Sequence, residues 1–112
     1  DVWHLVGGYQ TTSLHEIAIS SFQLAQFGHN YSAMFLATGA TMSYIRTPQG
    51  FGLLMQNLAE SWQHGRQMPA FMAIEWEDHW HKDIATVRSE LGITAFKGSF
   101  PADLLEQLAA SA

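Results

Sequence analysis

Three side chains near the start of the sequence have the types and spacing of a metal-binding site. Asp1 and His4 are three residues apart and would share one face of a helix, and Glu16 follows after eleven residues. Together they would offer a divalent metal two carboxylates and an imidazole, with positions left for water or substrate. A structural explanation stays open: a solvated Asp1, a core histidine at His4, and a capping box that pairs Ser13 with Glu16.

A second group of polar residues repeats this spacing. Asp78 and His81 are again a carboxylate and an imidazole three residues apart, which is typical of di-iron carboxylate bundles. The pattern favours surface ion pairs instead, because Glu75–His79 and Asp78–Lys82 are four residues apart on a predicted helix. We therefore expect Asp78 and His81 to stay outside the site of His4. The other histidines, His15, His29 and His64, look incidental.

The elements that must position these residues are predicted to be helices, which gives an all-α multi-helix bundle. Hydrophobic residues recur at helical spacing, and Gly-Gly, Thr-Pro and Gly-His-Asn sequences interrupt them. The helices are predicted at residues 1–6, 13–27, 31–45, 48–65 and 71–91, with a short last helix after Pro101. We expect Trp76 and Trp80 to pack on one side of the long helix 71–91 and Gly92 to end it.

Composition restricts the classes of function. The 112 residues suit a single domain, only 13% of them are charged, and the net charge is −5. A chain without a basic patch is not expected to bind nucleic acid. The absence of cysteine excludes disulfides and thiolate metal sites. No apolar run is long enough to span a bilayer, so any membrane contact is expected at the surface. The low charge content indicates that some apolar surface serves a partner, a missing segment, a lipid or a second subunit.

Taken together, these residues resemble a family of coenzyme Q biosynthesis proteins, the fourth of the Coq series. The family motif is His-Asp-x-x-His, eleven residues, then Glu, and this sequence matches all of it after the first His, which would precede Asp1 and is absent. The resemblance continues, in the family's order, through the segments Gly65-Arg66-Gln67-Met68-Pro69, Trp76-Glu77 with Trp80, and Arg88-Ser89-Glu90-Leu91-Gly92-Ile93. We expect residues 1–112 to be a single helical domain, the C-terminal part of a longer family member.

The resemblance implies a role in ubiquinone biosynthesis. It implies a divalent metal at Asp1, His4 and Glu16, with zinc favoured and iron or magnesium as alternatives, and a catalytic role for His4 and Glu16. It further implies binding of a polyprenylated quinone precursor, association with other ubiquinone biosynthesis enzymes, and a location peripheral to the membrane on the cytoplasmic or mitochondrial matrix side. A homodimer stays open.

Three hypotheses follow. The first is a metal-dependent enzyme that replaces the ring carboxylate of a prenylated hydroxybenzoate with a hydroxyl group. The second is a non-catalytic lipid-binding scaffold that organises the biosynthetic enzymes. The third, which ignores the resemblance, is a small di-iron protein that also uses Asp78 and His81. For the first two, the apolar third helix, residues 31–45, would supply a groove for the polyprenyl tail.

Overall fold

The computed structural model describes residues 2–111 and is built from helices. The α-helices are α1 (Val2–Gly7), α2 (Ser13–Phe27), α3 (Asn30–Arg46), α4 (Phe51–Gln67), α5 (Ile84–Leu91) and α6 (Leu104–Ala110). Short 3-10 helices cover Pro48–Gly50, Phe71–Ala73 and Trp76–His79, and residues 2–111 contain no strand. The predicted all-α fold is confirmed. No helix in this range is long and apolar enough to cross a membrane.

Helix α2 lies at the centre, with α3 and α4 packed against it. Its side chains are buried around most of its circumference, and Leu14, Ala18 and Phe22 are fully inaccessible to solvent. Gly28 ends α2 in the left-handed conformation, with φ of 66°, and donates its N–H to the Leu24 carbonyl. Because α3 follows almost at once, it returns antiparallel along α2.

Two apolar clusters hold the helices together. The larger cluster joins α1, α2, α5 and the segments that flank α5, through Val6, Tyr9, Ala18, Ile19, Phe22, Phe71, Val87, Ile93 and Phe96. The smaller one joins α2 to α4 through Leu14, Ile17 and Leu54, with Phe100, Leu104 and Leu105 packed over it. Helix α2 contributes to both clusters, so its orientation fixes the rest of the fold.

The predicted long helix over residues 71–91 is wrong. The chain forms two short 3-10 helices first, with extended backbone at Ile74, and α5 begins only at Ile84. Asp83 is the reason for the late start, because its side chain accepts the Thr86 N–H at 2.7 Å and caps the new helix. The predicted end is confirmed, since Gly92 is the C-cap with φ of 71°.

The side chains of this segment also differ from the prediction. Trp76 packs edge-on against Phe71, with ring centroids 5.4 Å apart, and donates its indole N–H to the Phe71 carbonyl. Trp80 is 71% exposed, so its predicted packing is wrong. Lys82 pairs with Glu90 at 2.7 Å and not with Asp78, because without a continuous helix residues 78 and 82 do not share a helical face.

Candidate functional site

The structure brings His4 and Glu16 into direct contact. His4 Nε2 lies 3.0 Å from Glu16 Oε1, across the turn that joins α1 to α2. The His4 side chain is 19% exposed and that of Glu16 is 40% exposed, so the pair lies at the edge of the core and can be reached from solvent. Asp1, the third predicted ligand, lies outside the described residues.

Helix α1 is short, and its neighbours fix the position of His4. The adjacent Trp3 packs edge-on against Phe27 and Phe71, with ring centroids 5.5 and 5.4 Å away. At the other end, the Arg88 guanidinium donates hydrogen bonds to the Leu5 and Val6 carbonyls. A cation at a helix C-terminus satisfies carbonyls that have no partner within the helix. Arg88 therefore positions α1, and His4 with it.

The predicted capping box of Ser13 and Glu16 is wrong. The Glu16 carboxylate does not cap α2 and is therefore available to His4. Ser13 is the first residue of α2, and the N-cap Thr12 makes no side-chain capping bond. The Ser13 N–H donates instead to Glu106 of α6 at 2.9 Å. Burial opposes ionisation of Glu106, but the hydrogen bonds from Ser13 outweigh it and lower the pKa of that carboxyl. Glu106 therefore replaces Glu16 at the start of α2.

Two histidines that looked incidental have defined roles in the fold. His15 is buried, and its Nδ1 accepts the Gln10 N–H at 2.9 Å. Burial, and next the charge of nearby His4, lower the pKa of His15. His64 is also buried and joins the Tyr9 hydroxyl to the Thr94 carbonyl. The role of His64 has no local signal because Tyr9 and Thr94 lie 55 and 30 residues away, whereas Gln10 lies only five residues from His15.

The His4–Glu16 pair fits the donor set of a divalent metal site. An imidazole nitrogen and a carboxylate oxygen suit zinc or iron. Two ligand atoms at about 2 Å from one ion lie about 3 Å apart when they are adjacent ligands, which agrees with the His4–Glu16 separation. Among residues 2–111, no three His, Asp or Glu side chains converge closely enough to hold a metal. The metal site of Asp1, His4 and Glu16 stays a prediction.

A cavity of about 550 Å³ lies next to this pair, between α2, α3 and α6. Glu16 and Ile17 form one wall, and Phe35, Gly39 and Met42 of α3 form the opposite one. The close approach depends on Gly39, since a Cβ at this position would meet Ile17 Cγ1 at 3.2 Å. The third helix thus borders a largely apolar cavity beside Glu16, as the sequence predicts.

The second polar group forms no comparable site. Asp78 and His81 are exposed, one in a 3-10 helix and the other in the turn after it. The part of the chain that the structure describes shows no converging set of ligands around them. Their neighbours Lys82 and His79 approach Glu90 instead, at 2.7 and 3.9 Å.

The chain is similar to known proteins over most of its length. Residues 1–97 match the family model described as "Coenzyme Q (ubiquinone) biosynthesis protein Coq4". The chain is 32% identical over 98 residues to the "Ubiquinone biosynthesis protein COQ4 homolog, mitochondrial" of Homo sapiens. Its fold resembles the crystal structure of a Nostoc punctiforme protein named for ubiquinone biosynthesis, with a TM-score of 0.75 and 29% identity.

The two similarities cover the same share of this chain and smaller shares of the relatives. Each covers 85% of the chain, but only 35% of the human protein and 46% of the Nostoc chain. The chain therefore spans about a third to a half of the length of these relatives. Similarity over part of their length does not by itself assign the activity, substrate or partners of these relatives to this chain.

Proposed function

Because the chain belongs to the Coq4 family of coenzyme Q (ubiquinone) biosynthesis proteins, we propose that it binds a prenylated quinone precursor at a metal-dependent site formed by His4 and Glu16. The observation that carries this proposal is the contact of the two side chains, 3.0 Å apart, beside a cavity with largely apolar walls. An amphipathic ligand with an aromatic head and a polyprenyl tail requires both features.

The residues have separate roles in this proposal. His4 and Glu16, with Asp1, would hold a divalent ion. The resemblance to the family favours zinc, and iron or magnesium is the alternative. When bound, the ion would supply Lewis acidity, or oxygen activation if it is iron. Phe35, Gly39 and Met42 would hold the tail and exclude water from it. Arg88 would keep α1, and so His4, in place.

The reaction that suits this arrangement is oxidative decarboxylation. It replaces the ring carboxylate with a hydroxyl group: the acid, water and dioxygen are consumed, carbon dioxide leaves, and dioxygen takes up the two electrons and two protons lost in the reaction and becomes hydrogen peroxide. The alternative is a scaffold that binds the same precursor without converting it and organises the other ubiquinone biosynthesis enzymes.

In both cases the protein would work at a membrane surface, which the exposed Tyr31, Met34 and Ile45 of α3 support. A homodimer stays a further option.

Substitution of the predicted ligands tests the site. In the full-length protein, His4→Ala and Glu16→Ala should each abolish ubiquinone production in cells that lack the native protein. Helical content should be retained, because the helices are held mainly by apolar packing. His29→Ala and Glu75→Ala, at exposed positions of the same residue types, are the matched controls. Normal ubiquinone production by both ligand variants would contradict the proposal.

Two further measurements separate the enzyme from the scaffold. Metal analysis of the same proteins should find one ion per chain in the wild type and much less in the two ligand variants. Turnover of a prenylated hydroxybenzoate by the metal-loaded wild type would support the enzyme. Binding without turnover, or loss of the fold in both ligand variants, would favour the scaffold with a structural metal.

A further inference from the structure

The cavity beside Glu16 changes character along α3. The residues of this helix that line it, Phe35, Gly39, Met42, Ser43 and Arg46, follow one another at intervals of one, three or four positions and share one face. The first three are apolar or lack a side chain, and the last two are polar. One wall therefore offers apolar surface towards the start of α3 and polar groups at its end.

The polar end lies beside the first turn of α2. Helices α2 and α3 are antiparallel, and Gly39 faces Ile17. The residues after Gly39 in α3 therefore run beside those before Ile17 in α2, which include Glu16 and Ser13. All of these line the same cavity. A group held by Ser43 and Arg46 would accordingly lie at the end of the cavity that holds the predicted metal ligand.

Two observations indicate that the polar end lacks protein partners. The Ser43 Oγ is buried and has no hydrogen-bond partner within residues 2–111. A buried hydroxyl without a partner is costly, so a hydrogen bond from Ser43 to a bound group would stabilise the complex. Arg46 is exposed at the cavity and makes no ion pair or hydrogen bond with the described part of the chain.

The carboxylates nearby do not neutralise Arg46. Glu16 accepts from His4 at 3.0 Å, and Glu106 accepts from the Ser13 N–H at 2.9 Å. Both acids that line the cavity are thus engaged elsewhere, and neither is paired with the guanidinium. A guanidinium presents a planar fork of donors that matches the oxygens of a carboxylate or a phosphate.

We propose that Ser43 and Arg46 form an anion-recognition site for the acidic headgroup of the ligand. The apolar part of the ligand lies along Phe35, Gly39 and Met42. The inference rests on the proposed function and adds to it the two residues that recognise the acidic headgroup, a carboxylate or a phosphate monoester. Arg46 contributes charge and two donors, and Ser43 a further donor from its hydroxyl. The site thereby selects acidic precursors over neutral ones with the same tail.

Binding of three ligands with equal tails tests this assignment. They are a prenylated hydroxybenzoate, its neutral methyl ester and the corresponding prenyl monophosphate, titrated against the metal-loaded full-length protein. Arg46→Met should weaken binding of the preferred acid about ten- to hundredfold and leave the ester unchanged. Ser43→Ala should weaken it about threefold to tenfold. Lys97→Met removes an equal charge outside this cavity and should change the affinity for neither the acid nor the ester.

The outcomes separate this inference from the function on which it rests. Tighter binding of the carboxylate or of the phosphate, lost in Arg46→Met, supports the site and identifies the headgroup. Equal wild-type affinity for acid and ester, or unchanged acid binding by Arg46→Met, overturns the headgroup site while tail binding stands. If the wild type binds none of the three ligands, both the inference and the proposed function are wrong.

Discussion

At the scale of single residues, His64 shows how the fold fixes a protonation state. The Thr94 carbonyl can only accept, so Nε2 carries the proton and donates at 2.7 Å, and Nδ1 accepts from the Tyr9 hydroxyl at 2.8 Å. Burial lowers the pKa of His64, and the bond to Thr94 opposes only part of that effect. A second proton on Nδ1 would displace the hydrogen bond from Tyr9.

The stability of the protein should therefore fall as the solution is acidified below about pH 6.5, the ordinary pKa of histidine. In that range the unfolded chain takes up a proton at His64 and the folded chain does not, until the lower folded pKa is reached. His64→Gln should be less stable at pH 7, by about 1–3 kcal/mol, but should depend less on pH. Urea unfolding at several pH values measures both effects.

The exposed His29 gives the control for this experiment. It lies in the turn between α2 and α3, and His29→Gln should keep the wild-type pH dependence. If the stability of His64→Gln falls with decreasing pH as steeply as that of the wild type, His64 does not contribute to the loss of stability in acid.

The sequence predicts the contact of His4 with Glu16 but not the partners around it. Two short-range signals bring the pair together, the Gly7-Gly8 break and the start of α2 at Ser13. The partner of Ser13 is Glu106, 93 residues away, and no local pattern could have indicated it. Ser43 and Arg46 had a usable signal, since they continue the face of Phe35 and Gly39 at helical spacing.

At the scale of elements, the packing of α4 on α2 depends on a glycine. A Cβ at Gly65 would lie 2.7 Å from the Phe22 carbonyl oxygen and 2.9 Å from the Ala25 Cβ. Gly65→Ala should therefore lower the free energy of unfolding by about 1–3 kcal/mol, because backbone would have to move. Denaturant unfolding measures the change.

Gly52 is the matched control within the same helix. A Cβ there would meet nothing within 4 Å, so Gly52→Ala should leave stability unchanged or raise it by up to roughly 1 kcal/mol. Equal effects of the two substitutions would mean that α2 and α4 do not pack as closely as the structure shows.

Two methionines of α3 test whether the cavity holds the tail. Met42 lines the cavity, whereas Met34 is on the same helix but not among the lining residues. Met42→Trp should fill the space and weaken binding of a prenylated hydroxybenzoate at least about tenfold, since an overfilled apolar site has no room for the tail. Met34→Trp should bind the same ligand with wild-type affinity in solution without vesicles. Unchanged binding by Met42→Trp would exclude this cavity as the tail site.

Helices were predictable where the periodic pattern and its end signals agreed. Helices α2 and α3 lie within one or two residues of their predicted bounds, because Gly28 and Pro48 mark their ends clearly. The region 71–91 was not predictable in this way, since its hydrophobic pattern is weak and tertiary contacts decide its conformation. Trp76 bonds to the Phe71 carbonyl, and Asp83 starts a new helix. Asp83, an N-cap residue directly before Ile84, is the local signal for this new helix.

At the scale of the whole molecule, apolar surface is extensive and charge is low. The radius of gyration is 14.6 Å, against about 13 Å for a compact domain of this length. Large exposed apolar side chains are concentrated on α3, with Tyr31, Met34 and Ile45 each about two-thirds exposed. The net charge of −5 would repel anionic lipids. If the protein meets a membrane, apolar contact must provide the attraction.

Binding to vesicles should therefore be insensitive to salt and to anionic lipid. Raising ionic strength from about 0.05 to 0.5 M screens charges but does not weaken apolar contacts.

Met34→Ser should lower partitioning roughly threefold or more, because a buried apolar side chain is lost from the contact. Met72, which is 70% exposed but lies outside α3, is a close match to Met34 at 69%, and Met72→Ser should leave partitioning unchanged. Vesicle flotation measures each case. Binding that requires anionic lipid and disappears in high salt, or equal losses in the two methionine variants, would show that α3 is not the membrane-facing surface.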